Sequence, residues 1–204
     1  MRHSHNVPHL PFKLGLPCCR IVGIFDMSMN SSGIFSIGEV NALAVDQFDW
    51  IFGNIIEHCP EATRKISARR PFKRVEDLKI AFDNYLDELE ETEKEQILLK
   101  HPDLAGKLCD EGKLTLESKN EQKSAGLDKM TKDEKQTLNN LNHLYKEKFR
   151  FPFVICAREN RVPAILTGIE ERLKNQPESE LLTSIEEVKK ICRIRISDLV
   201  WPDP

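Results

Sequence analysis

After Ser36, apolar residues recur at helical spacing in nearly every segment, and none sustains the alternation of a half-buried strand. Val40, Leu43, Ala44, Phe48, Ile51 and Ile55 make the first such face, with Ser36 and Glu39 forming a capping-box pattern at its start. The spacing predicts one helix ending near His58-Cys59-Pro60, then a short helix from Ala62 to Ser67. Val75, Leu78, Phe82, Tyr85 and Leu89 predict the next. Thr131 with Glu134 caps another, whose predicted buried stripe is Leu138, Leu141, Leu144, Tyr145 and Phe149. Pro163 sits at a helix start that leads into Ile165, Leu166, Ile169 and Leu173, and a last helix carries Leu181, Leu182, Ile185 and Val188. Phe151 to Ile155 is the only strand-like run. The predicted fold is all-α: a compact single-domain multi-helix bundle.

A chain of 204 residues supports one well-buried core more readily than two. We expect that core in residues 35–204 and a poorly structured, flexible extension in residues 1–34. There, three histidines (His3, His5, His9) and three prolines (Pro8, Pro11, Pro17) occur without a sustained period. Those histidines and the Cys18-Cys19 pair match no zinc spacing, so no metal is expected. Lys and Arg (30) nearly balance Asp and Glu (33), which gives no overall pull toward nucleic acid or anionic lipid. No apolar run reaches the ~20 residues of a membrane span. The tract from Leu14 to Phe25 is interrupted by Gly15, Pro17, the cysteine pair and Arg20. Cys59, Cys109, Cys156 and Cys192 lie in or beside apolar patterns, as buried reduced thiols do, which suits an intracellular compartment.

Two features carry possible chemistry. His101 precedes Pro102, which places it at the end of the helix bearing Ile97, Leu98 and Leu99. Downstream, helical spacing puts Ser118, Glu121, Gln122 and Ala125 on one face, where a packed helix normally shows Leu or Ile. Each feature alone has a plainer reading. A histidine beside a proline is often structural, a polar stripe is often solvated, and Arg195 between Ile194 and Ile196 can be a snorkelling side chain. His58 beside Cys59 does not make a metal site, and His143 lies on the polar side of its helix. Periodicity by itself gives a helical domain with a polar pocket.

An ordered series of motifs extends this reading. It runs Arg70-Pro71-Phe72, His101-Pro102-Asp103-Leu104-Ala105, Leu114-Thr115-x-Glu117-Ser118-x-x-Glu121-Gln122-x-x-Ala125-Gly126-Leu127, Asn142-x-x-Tyr145 and Phe151-Pro152-Phe153-Val154-Ile155. Over roughly residues 38 to 200 the chain resembles the 2-oxo-4-hydroxy-4-carboxy-5-ureidoimidazoline (OHCU) decarboxylase family. The resemblance implies an all-helical, usually homodimeric enzyme of urate breakdown. It uses no cofactor and converts its unstable small-molecule substrate to (S)-allantoin and carbon dioxide, after urate oxidase and hydroxyisourate hydrolase have acted.

By the same resemblance, His101 matches the catalytic histidine, a proton donor, and Glu121 the carboxylate beside it. Arg195, within Ile194-Arg195-Ile196-Ser197-Asp198-Leu199, matches an arginine of the pocket. Pro102, the segment Ser118, Lys119, Asn120, Glu121 and Gln122, and the segment Phe153, Val154, Ile155, Cys156 and Ala157 match substrate-binding positions. Loss of carbon dioxide beside an unsaturated carbon–nitrogen system lets the substrate supply its own electron sink, so orientation and a proton are what the protein must add. Two other readings stay open: a helical binding module that keeps the fold without turnover, and a different lyase or hydrolase on the same scaffold.

The chain departs from the family pattern in three places. Arg150 stands where relatives commonly carry Gly, which is expected to alter the backbone leading into Phe151-Pro152-Phe153. The resemblance offers no role for the N-terminal extension. The chain ends Trp201-Pro202-Asp203-Pro204, not in a Ser-Lys-Leu tripeptide, so import by that peroxisomal signal is not supported and peroxisome or cytoplasm stays open.

Overall fold

The structure is a computed structural model and describes residues 34–203. The expected extension, with His3, His5, His9, Cys18 and Cys19, lies outside the described residues except for Ile34. Ten α-helices follow in order: α1 Ile37–Ala42, α2 Val45–Phe52, α3 Pro60–Ser67, α4 Val75–Asp87, α5 Glu91–Leu99, α6 Lys107–Asp110, α7 Leu116–Ala125, α8 Lys132–Phe149, α9 Val162–Arg172 and α10 Pro177–Leu199. Single 3-10 turns occupy Leu127–Lys129 and Ala157–Glu159. Among the described residues the only β-pairing is an isolated bridge between Phe35 and Val200, so the all-α fold stands as predicted. None of these helices is long and apolar enough to cross a membrane.

The longest helix, α10, organises the core. It buries Leu181, Ile185, Val188, Ile191, Cys192 and Ile196 along one face and packs on α4, α5 and α8. A fully buried Leu or Ile side chain contributes about 1.5–3 kcal/mol relative to exposure, so this face alone fixes the helix in place. Buried among the same turns are three polar residues, Glu180, Ser184 and Arg195. Each requires partners from other elements, because an unpaired buried polar group is costly.

The single helix expected to end near His58-Cys59-Pro60 is two, and the second ends earlier. Leu43 and Ala44 are extended, and Gln47 turns back to accept a bond from the Ala44 N–H at 3.0 Å, opening α2. The free carbonyl of Leu43 is taken by the guanidinium of Arg70 at 2.5 Å, and the same guanidinium lies over the Phe48 ring at 4.9 Å. Arg70 thus replaces the backbone donors that a continuous helix would have supplied. The second helix then stops at Phe52, and residues 53–59 cross to α3 in turns. That irregular crossing carries Asn54 and Glu57.

The predicted caps form at both helix starts. Ser36 and Glu39, and Thr131 and Glu134, exchange side-chain and backbone bonds between 2.8 and 3.3 Å. In α8 the buried stripe is Leu138, Asn142, Tyr145 and Phe149, with Leu141 partly covered, whereas Leu144 is exposed. Leu182 of α10 is exposed as well, one position round from the core face. Cys59, Cys156 and Cys192 are buried free thiols, and Cys109 is half-buried.

Phe151 to Cys156 belongs to no helix and pairs with no strand among the described residues. It is held by side chains. Tyr145, Phe149, Phe151 and Phe153 form an aromatic cluster, and Arg172 of α9 stacks on Phe153 at 4.6 Å while donating to the Val154 carbonyl at 2.7 Å. Arg172 is balanced by Glu180, which is fully buried and also meets Tyr145 and Asn175. At the head of this segment Arg150 takes the left-handed conformation, φ 70° and ψ 5°, closing α8 with a bond from its N–H to the Lys146 carbonyl. Its side chain is exposed, so the backbone keeps the turn that favours glycine, and the expected alteration is a local conformational cost instead.

Candidate active site

The end of α5 sets the position of His101. The helix stops at Leu99 ahead of Pro102, and the ring folds back so that Nδ1 lies 3.0 Å from the Ile97 carbonyl. A carbonyl only accepts, so Nδ1 carries the hydrogen and Nε2 is left with a lone pair. Nε2 is buried and has no partner among the described residues. Burial, followed by the opposing influences of Glu57 and Arg195, brings the imidazole down to about 4, so it is neutral at neutral pH. In this neutral form Nε2 can accept a hydrogen bond or a proton.

Helix α7 lies opposite. Its N-cap is Thr115, whose hydroxyl accepts from the Ser118 N–H at 3.2 Å. Ser118, Glu121, Gln122 and Ala125 share its inner face, as the spacing predicts, and Ser118, Gln122 and Ala125 are buried. The Gln122 carbonyl oxygen accepts from the Ala105 N–H at 3.0 Å, which fixes the orientation of the amide. Lys119 and Asn120 are exposed on the outer face. A helix advances about 100° per residue, so five consecutive positions cannot all face one ligand.

Arg195 of α10 reaches the same place from below, and with 4% of its side chain exposed it is no surface snorkeller. Its Nε and Nη2 donate to the two oxygens of Glu121 at 2.7 and 2.8 Å, a bidentate pair. Nη1 donates to the Asn54 carbonyl at 2.7 Å and lies 2.9 Å from Glu57 Oε2. Nη2 also meets the Ser118 hydroxyl at 3.4 Å. The guanidinium is therefore committed to protein partners on every edge. Burial opposes its charge, but Glu121 and Glu57 outweigh burial and raise its proton affinity.

Glu57 has no counterpart among the residues picked out from sequence. Its side chain is 1% exposed, and it accepts from the hydroxyls of Thr115 at 2.8 Å and Ser118 at 3.0 Å. Burial pushes its carboxyl up, and Arg195 and Thr115 more than reverse this, so it stays below the usual carboxylate range. One helix running to near His58-Cys59-Pro60, as the spacing predicts, would place Glu57 in its last turn, whereas it lies in the turns that follow α2.

These groups surround a small cleft that opens to solvent. His101, Pro102, Ser118, Glu121, Gln122, Phe153, Val154, Ile155, Ala157 and Arg195 all line it, joined by Leu104 and Ile191. Cys156 does not line this cleft; its N–H turns away to Glu187 at 2.8 Å, and burial raises its thiol to about 11. The N–H groups of Val154 and Ile155, two residues that line the cleft, have no protein acceptor among the described residues. Among the described residues, no three His, Cys, Asp or Glu side chains converge as metal ligands. The arrangement can bind a small planar polar molecule, accept its proton at Nε2 and return that proton on one face.

The family model for OHCU decarboxylase matches residues 41–197 of this chain. The 2-oxo-4-hydroxy-4-carboxy-5-ureidoimidazoline decarboxylase of Xenopus laevis is 45% identical over 163 residues, covering 80% of this chain and 93% of that protein. The decarboxylase of Amia calva is 43% identical over 162 residues, covering 79% and 93%. A crystal structure of OHCU decarboxylase in the presence of (S)-allantoin superposes with a TM-score of 0.55 at 26% identity, covering 67% of this chain and 87% of that one.

Proposed function

The chain belongs to the OHCU decarboxylase family, and from that premise we propose that its cleft converts 2-oxo-4-hydroxy-4-carboxy-5-ureidoimidazoline to (S)-allantoin and carbon dioxide. The observation that carries the proposal is the unpartnered Nε2 of His101 in the same cleft as the Arg195–Glu121 pair. The substrate carbon that bears the carboxylate also bears a hydroxyl and adjoins a ring carbon–nitrogen double bond. When the bond to carbon dioxide breaks, its electron pair forms a carbon–carbon double bond, and the carbon–nitrogen π pair moves onto nitrogen, which takes a proton from water. The product of this step is an enol. His101 Nε2 accepts the enol hydroxyl proton, and the imidazolium then returns it to the neighbouring carbon, giving the ring amide carbonyl.

Delivery from a fixed ring to one face sets the handedness of the product. A buried imidazole whose ordinary proton affinity is brought down to about 4 is a strong acid once protonated, which favours the second transfer. Glu121, held in place by Arg195, is the acceptor for a hydroxyl or ureido N–H of the substrate, and the free amides of Val154 and Ile155 suit its carbonyl oxygens. Pro102, Phe153 and Ala157 shape the walls around the ring.

The test is direct. Freshly generated substrate should lose carbon dioxide faster with this protein than without it, and circular dichroism should show one allantoin enantiomer. Racemic allantoin at the spontaneous rate would rule the proposal out. We further propose a homodimer, to be checked by sedimentation, acting inside the cell in peroxisome or cytoplasm. We assign residues 1–34 to an extension and 35–204 to the catalytic domain. The N–H groups of Ile34 and Phe35 both bond the Leu199 carbonyl, which supports a boundary at this point.

A further inference from the structure

Arg195 stands between two carboxylates with different surroundings. Glu121 lines the cleft, its side chain is 12% exposed, and Arg195 is its partner among the described residues. Glu57 is sealed behind the cleft at 1% exposure, and both of its oxygens are used: Oε1 by Thr115, Oε2 by Ser118 and Arg195. It comes from the turn between α2 and α3, whereas Thr115 and Ser118 belong to the start of α7 and Arg195 to α10. One carboxylate thus ties three separate elements together beneath the site.

A buried ionised carboxylate is weak evidence for stability, because desolvation offsets most of what pairing contributes. Its position explains more. The turn that delivers Glu57 also delivers the Asn54 carbonyl, and both bind the Nη1 edge of Arg195, leaving the Nε–Nη2 edge to Glu121. With only one carboxylate present, the guanidinium would be free to swing toward it.

We infer that Glu57 is a positioning residue of this reaction, the fixed anion that holds Arg195 against the back of the cleft and offsets the positive charge His101 gains in turnover. The inference rests on the proposed decarboxylation, since it assigns Glu57 to that same site. Without Glu57 the imidazolium would face Arg195 with one compensating carboxylate fewer, and the charged state of His101 would be harder to reach. The site as a whole would be less negative, so an anionic substrate would bind no more weakly.

The experiment compares kcat and KM in Glu57→Gln, which keeps the shape of the side chain and an acceptor for Arg195. The expected result is a kcat lower by about 10- to 100-fold with KM unchanged or reduced. A rise in KM with kcat retained, or kinetics equal to wild type, overturns the inference. Wild-type protein in the same assay separates the two readings: if it fails to give one enantiomer, the proposed function fails first. Should Glu57→Gln not fold, Thr115→Val removes one donor to Glu57 and leaves every charge, with Thr115→Ser as the control that keeps both hydroxyl and helix cap. A lower kcat in Thr115→Val but not in Thr115→Ser supports the role, and equal kcat in the two variants overturns it.

Discussion

The Nδ1 of His101 lies 3.0 Å from the carbonyl oxygen of Ile97, four residues back in the same chain. This contact decides the tautomer, because a carbonyl can only accept, and so turns the Nε2 lone pair into the cleft. It also predicts a pH profile. Glu57 favours the imidazolium, Arg195 and His58 oppose it, and burial dominates, bringing His101 to about 4. Activity of the free enzyme, read as kcat/KM, should be flat through neutral pH and fall only as pH approaches about 4. An acid limb centred near the ordinary 6.5 would contradict the assignment. The same depression acts on stability. Between about 6.5 and 4 the unfolded chain binds a proton at this residue and the folded chain does not, so this contribution is lost as pH falls through that window. Urea midpoints measured between pH 4 and 7 should show the decline, and it should shrink in His101→Asn.

His101→Asn should also abolish stereospecific turnover while leaving helical content intact. In the proposed mechanism the ring supplies both the acceptor and the returning proton, and losses of about 10²- to 10⁴-fold are usual for such a group. Allantoin from this variant should be racemic. Retention of a single enantiomer would move the proton-transfer role to another residue.

Glu121→Gln leaves Arg195 with one good acceptor in place of a bidentate pair. We expect kcat to drop about 10²-fold, because in the proposed mechanism the substrate loses its carboxylate partner, and Arg195 loses its outer restraint. A small fall in Tm should accompany it. Unchanged kcat would show that Glu121 serves structure alone.

How far this was legible in sequence depended on which element held each residue. The inner face of α7 could be read because a regular helix presents positions i, i+3 and i+4 together, and Ser118, Glu121 and Gln122 fall there. The same rule shows why Lys119 and Asn120, taken from a contiguous motif, face solvent. Arg195 was placed in the pocket by family likeness, while its residue neighbours suggested only a surface arginine. Glu57 was not legible at all. Its role depends on a helix ending at Phe52, where Gly53 is the C-cap, and the apolar spacing that runs on through Ile55 outweighs that single Gly as a stop signal. Leu144 failed for a related reason: Asn142, which donates to the Leu104 carbonyl at 3.1 Å, turns the covered face of α8 away from it.

The Arg172–Glu180 pair supports the segment that carries Phe153 and Val154, and it should dominate the stability of this region. Glu180 is fully buried, so Arg172→Met leaves an uncompensated charge, a change that costs about 3–5 kcal/mol. At about 2–4 °C per kcal/mol for a domain of this size, Tm should fall by roughly 6–20 °C. The double variant Arg172→Met with Glu180→Leu should recover much of the loss, since an apolar pair of similar volume avoids desolvation. KM should remain raised in the double variant, because the Val154 carbonyl loses the donor that fixes it. Full recovery of both Tm and KM would show that the pair does not position the segment.

Arg150 offers the converse case, a residue beside the site that is unfavourable for conformation alone. Its φ of 70° lies where a side chain crowds the backbone, at a cost of about 1–2 kcal/mol for a residue other than glycine. Its side chain is exposed, and no packing contact opposes replacement. Arg150→Gly removes the crowding but gives the unfolded chain more freedom, so the net gain should be smaller, about 0.5–1 kcal/mol. Thermal unfolding should register this as a rise of a few degrees, with kcat and KM unchanged, because the backbone already has the glycine-like turn. A change in KM would mean that the Arg150 side chain alters the path of the chain into Phe151-Pro152-Phe153 after all.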